Sequence, residues 1–339
     1  MTVHDRRAFI IGGTGQIGRA TAARLTAAGY AVTLGHRRPR PDAAKPGAAG
    51  LDGITSVQVD RADTEALLRA LDGHDLVVDT VAFTPLHGAQ LAQLAGRVGS
   101  LVVISSGAVY QAPGLPVPIP ETWPTIERDT HDYPAGKAAL ERRLLATPGL
   151  PVSILRTGVL HGPYGTSLDH WSFIKRALDK RPYVVIAQDG RSRFPTSAVA
   201  NVAELIHLCA RRPGARVLNV ADDPLTVAEI GARIFAVMGH EAEIITFAGP
   251  SRPDGLGFNP WNVPEPIVFS MDKARAELGY RPAVPYDDAL RQVIEWAVPA
   301  VSEAGGRWQE VFPDLIDRHG PDVWFPYAAE DAYVAGATR

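Results

Sequence analysis

The chain has 339 residues, of which 46% are hydrophobic, and a formal net charge of −3. That length supports a substantial core, in one large domain or one and a half. The near balance of charge argues against a nucleic-acid groove or a membrane surface, and no apolar run approaches the roughly 18 residues of a membrane span. These features predict a soluble, cytoplasmic protein with no nucleic-acid or membrane partner. The single cysteine, Cys209, excludes an internal disulfide and a cysteine-based zinc site, and its apolar helical surroundings predict a buried side chain.

Short apolar, β-branched runs alternate with helical patterns from the start of the chain. Strands are predicted at residues 8–11, 31–34, 54–59, 76–82 and 101–105, and helices at 16–29, 64–71, 87–98 and from Tyr133 onward. Residues 101–104 are wholly apolar, which is typical of a strand buried on both faces of a parallel sheet. The alternation predicts an α/β fold with a Rossmann-like, doubly wound parallel sheet.

A glycine-rich turn follows the first predicted strand directly. Gly12, Gly15 and Gly18 lie between that strand and the first helix. Glycines at these positions let the chain turn sharply and let a phosphate approach the first turn of the helix, where the helix dipole favours an anion. The pattern predicts a dinucleotide site; the alternative is an ordinary strand–helix turn.

The end of the second strand bears on the choice of cofactor. An NAD-selective site usually has an acidic residue there, whereas this chain has His36, Arg37 and Arg38. Arginine binds phosphate bidentately, so the sequence predicts NADP(H), with NAD(H) the weaker candidate. In the alternative interpretation both arginines are solvated and Asp42 reaches the ribose. Asp60, after the third strand, either contacts the adenine or caps the helix that follows.

Tyr133 and Lys137 are four residues apart and therefore share one face of the predicted helix. Ser105 and Ser106 end the apolar fifth strand, at the carboxyl edge of the sheet where ligands bind in open α/β folds. A phenol ordinarily titrates at about 10, and a neighbouring ammonium, that of Lys137, together with the positive nicotinamide would lower its pKa.

Several motifs, in order and at characteristic spacing, resemble the extended short-chain dehydrogenase/reductases, the NAD(P)-dependent epimerase/dehydratase group. The resemblance covers roughly residues 7–298. The matching segments are Gly12-Gly-Thr-Gly-Gln-Ile-Gly18, Ile104-Ser-Ser-Gly-Ala-Val-Tyr110, Tyr133-x-x-x-Lys137, Leu155-Arg-Thr-Gly-Val-Leu-His-Gly-Pro163, Asn201-Val-Ala-Glu204, Leu218-Asn-Val220 and Ser270-Met-Asp-Lys-Ala-Arg-Ala-Glu-Leu-Gly-Tyr-Arg-Pro282.

The resemblance implies a catalytic set of Ser106, Tyr133 and Lys137. Tyr133 would act as acid or base, Ser106 would hold the substrate oxygen, and Lys137 would bind the nicotinamide ribose. In the alternative interpretation Tyr133 and Lys137 are an exposed pair and Ser106 is a turn residue. The cofactor-binding residues expected on this basis are Gly12, Thr14, Gly15, Gln16, Ile17, Gly18, His36, Arg37, Arg38, Asp60, Ala82, Tyr133 and Lys137.

Two departures from the family pattern narrow the expected chemistry. Gly107-Ala108 stands where the nucleotide-sugar 4,6-dehydratases carry an Asp-Glu pair, which argues against dehydration. No asparagine follows Arg156 within residues 157–160, which argues against a nucleotide-sugar substrate. The sequence predicts an NADP(H)-dependent oxidoreductase acting on a carbonyl or secondary alcohol, such as a sugar-like or secondary-metabolite ketone. The alternatives are a nucleotide-sugar 4-epimerase with tightly bound NAD(P), and a non-catalytic NADP-sensing or RNA-associated protein.

The expected domains are a Rossmann domain at 1–156 with returning segments near 194–222, a substrate domain at 157–193 and 223–305, and a tail at 306–339. The tail is rich in aromatic residues, and we expect it to pack onto the body of the protein. No His-Glu-x-x-His or similar cluster is present, so no metal is expected. The family resemblance also implies a homodimer formed through the helices at 87–98 and 133–146.

Overall fold

The structure is a computed structural model that describes residues 6–37, 51, 53–127 and 132–337. Its strands are β1 Arg7–Ile11, β2 Ala31–His36, β3 Thr55–Gln58, β4 Leu76–Asp79, β5 Ser100–Ser106, β6 Val152–Thr157, β7 Val159–His161, β8 Tyr183–Ile186, β9 Thr196–Ala198, β10 Arg216–Val220 and β11 Glu243–Thr246. Its helices are α1 Gln16–Ala27, α2 Thr64–Leu71, α3 Pro85–Ala92, α4 Tyr133–Leu145, α5 Trp171–Leu178, α6 Val199–Arg211, α7 Val227–Val237, α8 Asp272–Leu278, α9 Tyr286–Glu303, α10 Trp308–Val311, α11 Pro313–His319 and α12 Tyr327–Ala337.

Seven strands form one parallel sheet in the order β10-β6-β5-β4-β1-β2-β3. The order reverses at β1, beside which β4 and β2 lie on opposite sides, and this is the crevice where ligands bind in doubly wound folds. The predicted α/β fold class is therefore confirmed. No helix among the described residues is long and apolar enough to cross a membrane.

The predicted elements agree with the observed ones to within a few residues, except at two ends. β4 stops at Asp79 rather than at residue 82, because the Asp79 carboxylate accepts the backbone N–H of Val81 at 2.9 Å and turns the chain. α3 begins at Pro85, after the Thr84 cap, and ends at Ala92 rather than near residue 98. A series of turns then leads to Gly96, whose φ of 72° lies outside the helical region.

The chain divides into two compact units. The first comprises Met1–Gly158, Val199–Ala221 and Phe269–Ala283, and the second comprises Val159–Ala198, Asp222–Val268 and Val284–Arg339. In the first unit the faces of the sheet and the helices bury a mainly aliphatic core, which includes Val77, Leu101, Val103, Leu140, Leu144 and Ile154 together with the aromatic Phe9. Helices cover both faces of this sheet, which explains why its central strands read as continuous apolar runs.

The second unit has a core rich in aromatic residues, to which the C-terminal segment contributes. Trp171, Phe173 and Trp261 pack there with Trp308, Phe312, Leu315 and Trp324. α12 is held to this core by a buried ion pair of 2.8 Å between Arg176 and Glu330. The tail is thus part of the second unit's core.

Candidate active site

The glycine turn has the geometry of a phosphate-binding loop. The N–H groups of Gly12 and Gly13 both donate to the carbonyl of Gly35 at 3.1 Å, and Gly12 has a φ of 78°, which favours glycine. A Cβ on Gly18 would lie 2.5 Å from the carbonyl oxygen of Gly12, so only glycine lets α1 pack this closely on the turn. The loop is therefore closed from behind by contacts that exclude larger side chains.

The open side of the loop fits a dinucleotide phosphate. Gly15 caps α1 without any side-chain hydrogen bond, which leaves the first-turn N–H groups of the helix without a capping side chain. A Cβ on Gly15 would meet only the Gly12 carbonyl oxygen, at 3.5 Å, so the space above this residue is free. The buried Oε1 of Gln16 has no hydrogen-bond partner among the described residues. Free space, free donors and the positive end of the helix dipole together suit a phosphate.

At the end of β2, His36 is buried and Arg37 is exposed, with the Arg37 carbonyl accepting from Gln58 Nε2 at 3.2 Å. Arg38 and Asp42 lie outside the described residues. No carboxylate within the described part of β2 stands where an NAD-selective enzyme places one.

Asp60 does not cap α2. Its carboxylate accepts the N–H of Ala62 at 2.9 Å, whereas Asp63 caps the helix by accepting the N–H of Ala66 at 2.8 Å. The capping alternative for Asp60 was therefore wrong, because the carboxylate that caps α2 comes from Asp63, three residues later. Asp60 is exposed beyond the end of β3, at the carboxyl edge of the sheet.

The end of β4 adds a buried ion pair that the sequence did not reveal. Asp79 is fully buried and pairs with Arg61 at 2.6 Å. The Thr80 hydroxyl donates to the carbonyl of Ile11 at 3.0 Å and ties this strand end to the glycine turn. Ala82, an expected cofactor contact, is fully buried three residues beyond Asp79.

Tyr133 and Lys137 occupy the first two turns of α4. Asp132 caps the helix by accepting the N–H of Ala135 at 2.9 Å, and Pro134 fits in its first turn. The cap explains how a segment of low helix propensity starts a helix at Tyr133. Lys137 is 1% exposed, and its Nζ donates to the carbonyl of Ile104 at 2.7 Å.

The structure brings Ser106, Tyr133 and Lys137 together at the carboxyl end of β5. Lys137 Nζ lies 5.8 Å from the ring centre of Tyr133 and 4.6 Å from that of Phe83. The Ser106 hydroxyl hydrogen-bonds the Tyr133 phenol, and it also accepts the N–H of Ala108 at 3.1 Å. The interpretation of Tyr133 and Lys137 as an exposed pair does not hold for Lys137, which is buried.

The two titrating groups respond differently to this environment. Desolvation raises the pKa of Tyr133, and the hydrogen bond from Ser106 opposes that rise. Half of the residue's surface (49%) is nevertheless open to solvent, so the desolvation is partial. For Lys137, burial lowers the pKa from 10.5 to about 8, while Asp79 and Glu141 oppose the shift. The sequence predicts a lowered pKa for Tyr133, whereas among the protein's own groups burial outweighs the hydrogen bond with Ser106 and raises it.

Gly136 lets α4 approach the loop after β4. A Cβ at this position would lie 2.9 Å from the carbonyl oxygen of Phe83, which is backbone and cannot rotate away. The same loop places the Phe83 ring 5.9 Å from the ring of Tyr133. The glycine between the two functional residues therefore sets the distance between the helix and this loop.

A ring occupies the position beside Ser106 where the 4,6-dehydratases carry an acid. A Cβ on Gly107 would lie 1.9 Å from Cζ of Phe269, so no side chain fits there without displacing that ring. Phe269 is itself buried and packs against Tyr110, with ring centres 5.8 Å apart. Position 107 therefore has no room for a carboxylate unless the Phe269 ring moves.

Comparison with known proteins agrees with this geometry. Residues 12–171 match the NAD(P)H-binding family. The chain is 28% identical to a 4-hydroxy-2-methyl-3-oxo-4-farnesyl-3,4-dihydroquinoline-1-oxide ketoreductase of Stigmatella aurantiaca, over 84% of this chain and 96% of that protein. It is 26% identical to a 2-alkyl-3-oxoalkanoate reductase of Stenotrophomonas maltophilia (strain K279a), over 84% of this chain and 97% of that protein.

A crystal structure of dTDP-glucose 4,6-dehydratase from Bacillus anthracis, in complex with NAD, has the same fold. The TM-score is 0.69 at 16% identity, over 90% of this chain and 99% of that chain. The protein is an NAD(P)-dependent enzyme with the fold of the epimerase/dehydratase structures. The fold and the nicotinamide cofactor predicted from the sequence are confirmed.

Besides Asp79, sequence reasoning missed a second buried acidic group, Glu141. It lies one turn beyond Lys137 on the same face of α4 and accepts hydrogen bonds from Ser105 Oγ at 2.5 Å and from Arg156 Nη2 at 2.6 Å. Arg156 also donates to the carbonyl of Glu121 at 3.1 Å. The spacing of four residues from Lys137 was the available signal. This network fixes the strand end from which Ser106 extends.

Two histidines of the second unit, His161 and His170, have buried contacts. His161 pairs with Asp222 at 2.7 Å, and His170 lies 2.9 Å from the hydroxyl of Tyr286. Both histidines are fully buried, with ring centres 4.7 Å apart. Burial lowers the pKa of His170, so it is neutral at pH 7. No group of three or more metal-ligating side chains occurs in the part of the chain that the structure describes.

Proposed function

We propose that the protein is an NADP(H)-dependent ketoreductase that uses Tyr133 as its proton donor. The observation that carries this proposal is the convergence of Tyr133, Ser106 and Lys137, beside a position (residue 107) where the Phe269 ring leaves no space for a side chain. Because its pKa lies above the ordinary value, the phenol is protonated at neutral pH and has a proton to give, which suits reduction.

Ser106, Tyr133 and Lys137 would each have a separate role in reducing the carbonyl group. The nicotinamide, when bound, supplies the hydride that reaches the carbonyl carbon of the substrate. Ser106 donates a hydrogen bond to the carbonyl oxygen, and Tyr133 transfers its phenolic proton to that oxygen as the C–O bond becomes single. The half-exposed phenol then regains a proton from solvent. Lys137, held by the Ile104 carbonyl, presents its remaining N–H groups to the nicotinamide ribose.

Several parts of the chain would hold the cofactor. The glycine turn would bind the pyrophosphate through Gly12, Thr14, Gly15, Gln16, Ile17 and Gly18. Asp60 would contact the adenine, and Ala82 would lie beside the nicotinamide half. His36, Arg37 and Arg38 would surround the 2′-phosphate. The exposed position of Arg37 and the absence of a carboxylate in the described part of β2 support NADP(H) over NAD(H).

The names of both curated relatives describe an oxo group on a molecule with a hydrocarbon chain, farnesyl in one and alkyl in the other. We therefore propose an apolar ketone, rather than a nucleotide sugar, as the substrate class. The absence of an asparagine within residues 157–160, where many nucleotide-sugar enzymes have one, supports this choice.

The test begins with calorimetry of NADPH and NADH binding to the wild type and to the Arg37→Ala/Arg38→Ala variant. We expect a preference for NADPH that is lost in the variant; equal binding of the two cofactors by the wild type would refute the NADP(H) assignment.

NADPH consumption is then followed with a 2-alkyl-3-oxo ester as probe. Tyr133→Phe should lower kcat by about 10²–10⁴-fold with NADPH binding retained. Unchanged turnover in that variant would exclude the phenol as the acid. A cofactor that stays bound, with no net change in nicotinamide absorbance on any ketone tried, would favour the 4-epimerase. Wild-type cellular function in Tyr133→Phe would favour a non-catalytic NADP-sensing role.

A further inference from the structure

The first unit has a cavity at the opposite edge of the sheet from the glycine turn. It has a volume of about 520 Å³, and its lining includes Arg6, Arg24, Gly29, Tyr30, His207 and Arg211. We call it the arginine pocket. Arg6 precedes β1 and Tyr30 precedes β2, so the pocket lies at the amino ends of these strands, while the glycine turn follows the carboxyl end of β1. The five residues of β1 separate the two places by roughly 16 Å.

The positive charge of the arginines in the pocket exceeds the negative charge of the described groups that lie beside them. Arg24 pairs with Glu204 at 2.5 Å, but Arg6 and Arg211 have no acidic partner among the described residues. The carboxyl ends of α1 and α6 reach the pocket through Ala28 and Arg211, and each helix end contributes about half a negative charge. After these contributions the three guanidiniums leave about one net positive charge in a half-enclosed space.

His207 adds a buried polar group without a partner. The residue is 7% exposed, and its Nδ1 has no hydrogen-bond partner among the described residues. Its ring meets the Tyr30 ring edge-on at 6.4 Å. Burial lowers the pKa of the His207 imidazole. The positive charges of Arg24, Arg211 and Arg6 lower it further, whereas the negative charge of Glu204 raises it. The imidazole is therefore neutral at pH 7, and an anion among the arginines would make its protonation easier.

We propose that the arginine pocket binds the phosphate group of a small molecule, at a site separate from the cofactor. Guanidinium groups match phosphate oxygens in geometry as well as in charge. The cavity volume lies within the range of small-molecule sites and exceeds the space that a phosphate alone would fill, so an organic portion can also enter. The pocket can thus take either free phosphate or a phosphate monoester.

The test is calorimetric titration with inorganic phosphate and, separately, with glycerol 3-phosphate, at low salt and with NADPH already saturating. Tighter binding of the monoester would identify the organic phosphate as the ligand, and equal binding would identify free phosphate. We expect Arg6→Ala and Arg211→Ala to weaken binding about tenfold each, since each removes a charged hydrogen-bond donor. Arg275→Ala, an exposed arginine on α8 of the same unit, is the matched control and should bind as the wild type does.

Proton uptake provides a second readout. Titrations in two buffers of different ionisation enthalpy should reveal protons taken up on binding at pH 7.5, and His207→Gln should abolish that uptake. The absence of detectable binding at a probe concentration of about 10 mM, roughly ten times the Kd of a weak site, would overturn the proposal. So would an affinity that the Arg6→Ala/Arg211→Ala double variant leaves unchanged. Because the assay does not depend on turnover, its failure is distinct from failure of the ketoreductase proposal.

Discussion

Removing the Glu141 carboxylate should destabilise the protein strongly, because it leaves a buried guanidinium without its counter-charge. In Glu141→Ala, Arg156 would lose its pairing at 2.6 Å and Ser105 would lose its acceptor at 2.5 Å. Deleting one member of a buried ion pair costs about 3–5 kcal/mol, and an orphaned buried hydroxyl costs about 1 kcal/mol more. Arg156 keeps the Glu121 carbonyl and the face of the Tyr110 ring at 4.7 Å, which favours the lower end of that range. We therefore expect a loss of about 4 kcal/mol.

Urea denaturation followed by fluorescence measures this loss. Glu65→Ala is the control, because Glu65 also pairs with an arginine, Arg69 at 3.3 Å, but its side chain is 88% exposed. Such a pair contributes less than about 0.5 kcal/mol. The double variant Glu141→Met/Arg156→Met removes both charges and should recover much of the stability. A Glu141→Ala variant no less stable than Glu65→Ala, or a double variant worse than the single one, would refute the reasoning.

Three further predictions concern other contacts. The pKa of Lys137 is about 8 in the folded protein, below the ordinary 10.5. Between pH 8 and pH 10.5 the unfolded chain therefore binds more protons than the folded one. The free energy of unfolding should accordingly rise with pH across this range, by about 3 kcal/mol in total. In Lys137→Met this rise should be missing from urea titrations at pH 8 and pH 10, and a rise of equal size in the variant would contradict the assignment. Gly136→Ala should lower kcat/KM at least about tenfold, since its Cβ meets a backbone carbonyl at 2.9 Å, whereas Gly336→Ala on α12 meets nothing within 4 Å and should leave activity unchanged. Glu330→Ala should cost about 3–5 kcal/mol by leaving the buried Arg176 unpaired; a melting temperature equal to that of the wild type would show that the pair does not hold α12.

The sequence predicted the sheet of the first unit well, because its strands are apolar, short and separated by regular helical patterns. It also identified the residues that the structure gathers beside Tyr133, because a spacing of four residues places side chains on one helix face. Their functional roles remain proposals. The sequence did not reveal the ion pairs of Asp79 and Glu141, since each joins residues far apart in the chain or hidden within an alanine-rich helix. Burial and pairing of such charges depend on tertiary packing, which periodicity does not encode.

The way the chain passes between its two units has a consequence for biosynthesis. The first unit is completed only by Phe269–Ala283, and the core of the second requires Trp324 and Glu330 from near the end of the described chain. At about 5–20 residues per second, a ribosome takes only a few seconds to make the roughly fifty residues that separate those two points. Neither unit can therefore finish folding long before the other. During translation the first unit lacks its last segment, Phe269–Ala283, until most of the chain has been made, so the nascent chain, rather than the finished enzyme, is the form most exposed to chaperones and proteases.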